Sequence, residues 1–251
     1  MSILSVNRAE YESKLLEILE GLEAGFAASD ISALRMSVIN FVKVKLDELV
    51  PEGEGVIYSL STAPNKTNPI DLLIDSHLTE STKDISLSAP KHLVYPQTTD
   101  DQAGTPFNDG DKCGYIALPT NFLRLYSLKM KDWTLDVFEN TPLESHKHNK
   151  QRFIRAGYVK PIIVLNWKVI SNVMVRVLEY YSINTSHDIE SLLYIPSTAT
   201  TDYTVDNWID DNPNLIDSLA WMCAGKIMQI TGQLEAAKYA MEQVKLSYQN
   251  L

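Results

Sequence analysis

The chain has 251 residues, 45% of them hydrophobic, enough to bury a core in one large domain or two small ones. Twenty-two Lys and Arg stand against 32 Asp and Glu, a net charge of −10 with an isoelectric point near 5.0. No Lys/Arg-rich run is present to neutralise phosphates, which argues against tight nucleic-acid binding. The longest apolar runs, such as Ile162 to Leu165, are far too short to cross a bilayer.

At the N-terminus Arg8, Glu10 and Glu12 precede any apolar core, so this segment is not expected to act as a signal peptide. Asn7 and Glu10 have capping-box spacing and open a first helix, with Tyr11, Leu15, Ile18, Leu19 and Leu22 on one face. Gly21 and Gly25 loosen its end. Ser29 or Asp30 caps a second helix, whose stripe is Ile31, Leu34, Val38, Phe41, Val42 and Leu49 and which Pro51 terminates. So short a link predicts an antiparallel helical hairpin. Val56 to Leu60 reads as a strand and Pro69 to His77 as a short helix. Residues 95–112, YPQTTDDQAGTPFNDGDK, are rich in turn formers and nearly devoid of apolar side chains. They read as a long exposed loop, either a partner contact through Tyr95 and Phe107 or a disordered insertion.

The centre of the chain is CGYIALPTNFLRLYSLKMKDWTLDVFE, Cys113 to Glu139. A β-prone run ends at Leu118-Pro119, because proline cannot donate to a sheet ladder. Thr120 and Asn121 make a turn, and extended chain resumes at Phe122. Leu123, Leu125 and Ser127 alternate with Arg124, Tyr126 and Leu128; after a polar link, Trp133, Leu135 and Val137 alternate with Thr134, Asp136 and Phe138. This period of two predicts paired strands whose core residues are Leu118, Pro119, Leu123, Leu125, Trp133, Leu135 and Val137. Pro142 to Arg155 is polar and basic and is compatible with a helix. Ile162 to Leu165 predicts a strand buried on both faces, Lys168 to Asn172 a turn, and Val173 to Tyr180 a further strand. Asp188 to Tyr194 is a short helix or strand, and a Ser/Thr-rich loop follows Pro196.

Asn212 and Pro213 then supply a helix cap and a first-turn proline. Leu215, Leu219, Met222, Cys223, Ile227 and Ile230 form a stripe that Gly232 interrupts. Leu234, Ala237, Met241, Val244 and Tyr248 form a second seam, for which the stripe of Leu15, Ile18 and Leu22 is a suitable partner. The expected fold is therefore α+β. Residues 1–52 and 206–251 form a helical bundle from both chain ends, and 53–205 form an inserted, mainly antiparallel sheet domain.

Chemistry-bearing motifs are scarce. His146 and His148 share a face only on a strand and have no third ligand nearby; a solvated basic loop explains them better than a metal site. His187-Asp188 is either an oriented general base or a helix cap. Asp100, Asp101, Asp109 and Asp111 lack the register of a calcium loop. Cys113 and Cys223 match no metal or disulfide spacing and read as buried free thiols. No catalytic, cofactor or metal site is expected.

The strand ending in Leu118-Pro119, followed by Asn121, Phe122-Leu123-Arg124-Leu125 and the Trp133-led segment, resembles the head-to-tail adaptor proteins of tailed phages. The similarity is to the tail tubular protein A type of connector, including neck rings of crAss-like phages. The specific match covers Tyr115 to Glu139 and the last forty residues; elsewhere only the order of elements agrees. The resemblance implies a structural virion protein of the neck, assembled in the host cytoplasm. It implies a homo-oligomeric ring, a dodecamer, that joins the portal protein to a downstream tail or neck ring. DNA would pass through it without specific binding. In similar adaptors the chain end lies at the portal side, which makes Tyr248, Gln249, Asn250 and Leu251 the portal-contact candidates. The alternative is a small soluble hydrolase without a recognisable motif.

Overall fold

The structure, a computed structural model, describes residues 7–23, 31–50, 69–99, 104–106, 113–142, 159–181 and 187–251. The fold is α+β: helices from both ends of the chain pack together, and two antiparallel sheets are inserted between them in sequence. One compact unit comprises Met1–Tyr95 with Thr198–Leu251; the other is Pro96–Ser197.

In the helical unit, α1 (Arg8–Glu23) begins where the Asn7 side chain accepts the Glu10 N–H. Helix α2 (Ala33–Leu49) is capped by Ser32, whose oxygen accepts the Arg35 N–H at 3.1 Å. The expected cap at Ser29 or Asp30 is thus corrected: Ser32 has the extended backbone a cap needs, and it lies three residues before the donor. Helix α3 (Pro69–Ser88) runs 20 residues, well past the expected end at His77, and belongs with the other helices rather than with the sheets. Its apolar stripe ends at Leu78, but the same face continues as buried Ser81, Thr82, Ile85 and Ser86. The Thr82 hydroxyl bonds the Thr79 carbonyl and lies 2.7 Å from the Thr198 hydroxyl. Ser86 accepts the indole N–H of buried Trp208 at 2.8 Å. Small hydroxyls that find partners are buried at little cost.

Trp208 lies on α4 (Val205–Asp211), a helix set by a Thr204–Asn207 capping box directly after the expected Ser/Thr-rich loop. Asn212 and Pro213 open a 3₁₀ turn, Pro213–Leu215, that runs directly into α5 (Ile216–Ile230). Helix α5 ends in a Schellman motif: Gly232 adopts φ +83°, the Gln233 N–H bonds the Met228 carbonyl, and the Gly232 N–H bonds that of Gln229. Helix α6 (Leu234–Gln249) then folds back on α5. Gly225 faces Ala240 and Met241 so closely that a Cβ there would lie 3.2 Å from the Ala240 Cβ. The expected pairing of α6 with α1 is therefore corrected. The main neighbour of α6 is α5, across small residues; α1 packs on α3, with Tyr11 and Leu15 buried. Leu234 also departs from the expected seam, being 58% exposed, whereas Ala237 and Val244 are buried. The side chain of Leu22 lies outside the described residues.

The sheet unit holds β1 (Gln97–Thr98), β2 (Thr105–Pro106), β3 (Cys113–Ala117), β4 (Phe122–Met130), β5 (Ile162–Ile170), β6 (Val173–Tyr181) and β7 (Ile189–Pro196). Strands order as β1-β7-β4 in one sheet and β2-β3-β6-β5 in the other, all pairs antiparallel. One core draws on both sheets: Phe122, Leu125, Leu128 and Met130 with Leu192 and Tyr194, and Ile116, Ile163, Leu178 and Tyr180. Leu118 and Trp133 complete it, the Trp133 ring meeting Tyr180 edge-on.

Three expectations fail here for backbone reasons. The β4–β7 register shifts at three places, so Leu125, Ser127, Leu128 and Met130 are all buried while Leu123 is only half-buried, as is Pro119. Trp133 to Val137 is no strand. The Trp133 N–H bonds the Met130 carbonyl in a turn, and only Val137 bridges back to Leu128; Leu135 is 61% exposed rather than in the core. Finally, the described residues of 95–112 are not free loop. Gln97 and Thr98 pair with β7, Thr105 and Pro106 pair with β3, and the Gly104 N–H bonds the His187 carbonyl at 2.7 Å.

Candidate functional site

The most distinctive surface among the described residues is the end of the β5–β6 hairpin. Ser171 and Asn172 both adopt positive φ, 52° and 64°, the pair of left-handed residues that closes a two-residue hairpin with the natural twist of its strands. The turn is therefore tighter than the expected Lys168 to Asn172 link, and both strands run out to it. At the base of the hairpin β6 is flanked by β3, which ends at Ala117 opposite Val177. Beyond that point the described ribbon has two strands.

Its tip is apolar. Trp167, Val169, Val173 and Met174 are 60–66% exposed, with Val169 directly across from Met174 and Trp167 across from Arg176. Trp167, Val169 and Met174 share one face of the ribbon and Val173 lies on the other; grouped exposed apolar side chains mark contact surfaces in soluble proteins. The outer edge of β5 is partly closed, since the Asn166 side chain accepts the Trp167 N–H at 2.8 Å. At Trp167 an edge donor that is already bonded makes a poor template for another strand.

The two cations of the ribbon lean back toward its base. Lys168 stands over the Tyr115 ring and 3.4 Å from Glu179; Arg176 donates to the Phe122 carbonyl and covers that ring. Buried Glu179 also accepts from Asn166 and from the Tyr181 hydroxyl at 2.8 Å, a carboxylate with its acceptor sites well used. Burial, and after it that hydrogen bond, push the Tyr181 phenol well above its ordinary range. The base is thus held by an ion pair, a hydrogen bond and ring contacts where the tip is apolar and exposed.

His187 precedes β7, so the helix-cap reading of His187-Asp188 is corrected to a strand start. Its Nδ1 lies 2.5 Å from the Tyr180 hydroxyl, and that hydroxyl rests on Gly114 and Gly104, where a Cβ would collide with it. Burial raises the phenol well above its ordinary range. The arrangement holds Gly104 against Tyr180, with the Gly104 N–H on the His187 carbonyl. Asp188 pairs with Lys131 on the surface.

The helical unit carries its own charge constellation. Lys43 and Asp71 form a fully buried pair at 2.5 Å, with Asp71 in the first turn of α3. Arg35 bridges Asp75 at 3.1 Å and Asp206 at 3.3 Å, and Ser32 donates to Asp206. Burial raises the Asp75 carboxyl despite Arg35. Cys223 is a buried free thiol pushed up to about 12 by burial, which keeps it unreactive; Cys113, also free, is half-buried. Among the described residues no three His, Cys, Asp or Glu side chains gather as metal ligands.

Of the other sequence candidates, Tyr95 is exposed, its N–H bonded to the Asn212 side chain. Tyr248 is half-buried with its hydroxyl 3.2 Å from that of Ser88, and Gln249, Asn250 and Leu251 are exposed. Phe107, His146, His148, Asp100, Asp101, Asp109 and Asp111 lie outside the described residues, as do the strand at Val56 to Leu60 and most of the Pro142 to Arg155 segment. The described candidate residues are spread along the chain and form no single cluster. The hairpin tip escaped the sequence reading because Val169, Val173 and Met174 look like ordinary alternating strand residues. Its one sequence signal is that the apolar alternation runs unbroken into a two-residue turn.

Comparison with models of protein families finds no match, and comparison with curated proteins finds none either. No helix among the described residues is long and apolar enough to cross a membrane.

Proposed function

We propose that the chain is a structural assembly subunit, a head-to-tail adaptor of a tailed-phage virion that forms a ring between portal and tail around the DNA channel. The observation that carries this reading is the projecting β5–β6 ribbon with its exposed Trp167, Val169, Val173 and Met174. It is a preformed contact element on a base held by an ion pair and ring contacts, which suits a protein whose work is to bind other subunits. The resemblance of Leu118-Pro119 and Phe122-Leu123-Arg124-Leu125 to adaptor proteins supplies the particular assembly, and twelve is the ring size it implies.

The portal is proposed to meet the chain end. Because Tyr248 also packs and hydrogen-bonds within the helical unit, the informative truncation removes Gln249, Asn250 and Leu251 alone. The net charge of −10 repels phosphates, so duplex DNA is expected to pass the ring without being held.

Light scattering and negative-stain microscopy of the purified chain, alone and with portal protein, test the reading. Rings that dock onto portal complexes are expected. A chain that stays monomeric with portal present, or that binds duplex DNA tightly and salt-sensitively, would overturn it.

A further inference from the structure

We draw no further inference here: the strongest candidate, the exposed apolar tip of the β5–β6 hairpin at Trp167, Val169 and Met174, carries nothing beyond the assembly role proposed above, because nothing in the structure shows what covers it.

Discussion

The two units manage charge and apolar surface in opposite ways. The helical unit holds the whole net charge of −10 and even buries an ion pair, Lys43 with Asp71. The sheet unit is neutral and exposes a tryptophan, two valines and a methionine at the end of a hairpin. A buried pair is costly to desolvate, and its best-attested use is to fix one arrangement of packed helices. The exposed apolar tip is the contact element on which the proposed assembly role rests. The first device acts inside a unit, and the second is proposed to act on a neighbour.

The largest expected effect breaks the helical side of this comparison. Trp208 is fully buried and bonded to Ser86, so Trp208→Ala should lower stability by about 5 kcal/mol, the upper end for aromatic truncation, because it also strands a buried hydroxyl. Urea unfolding followed by helical ellipticity checks this. Next, Lys43→Met should cost about 4 kcal/mol by leaving Asp71 charged and unpaired in the core, and adding Asp71→Leu should recover most of the loss. A double variant as weak as the single would show that the pair stabilises the helices rather than specifying them.

On the sheet side, Trp133→Ala should cost about 3 kcal/mol, whereas Leu135→Ala two residues away should stay within about 0.5 kcal/mol. Equal losses at the two positions would restore the strand that the turn at Met130 replaces.

The smallest effect is a pH dependence confined to the helical unit. Burial lowers His77 below its ordinary 6.5, with Glu80 opposing and Lys226 reinforcing the shift. Its neutral form is favoured in the fold. The stability it contributes is therefore intact above about 6.5 and lost as pH falls through the folded value. Asp75 acts in the other direction at lower pH. Its raised pKa means that protonation relieves a burial cost, so stability from that group grows as pH falls through the folded value toward the ordinary 3.8. Thermal melts between pH 7 and 5 should show the His77 limb, and His77→Gln should flatten it.

Local pattern alone determined much of this protein. The cap at Asn7, the first-turn proline at Pro213, the break at Gly232, the strand stop at Pro119 and the alternation of Val173 to Tyr180 all follow from propensities and periods that act over a few residues. So did the order of helices, sheets and helices. Tertiary structure decided the rest, wherever partners distant in sequence met. Helix α3 extends to Ser88 because Thr198 and Trp208 supply bonds to hydroxyls that looked like a helix's polar end. Helix α6 chose α5 over α1 because Gly225 and Ala240 permit a close approach that a hydrophobic count does not register. Leu135 turned outward because the bulged β4 and the turn after Met130 reset the parity on which a period of two depends. The tip of β5 and β6 became a surface because β3 stops at Ala117, and no property of Trp167 or Met174 in sequence says where a neighbouring strand will end.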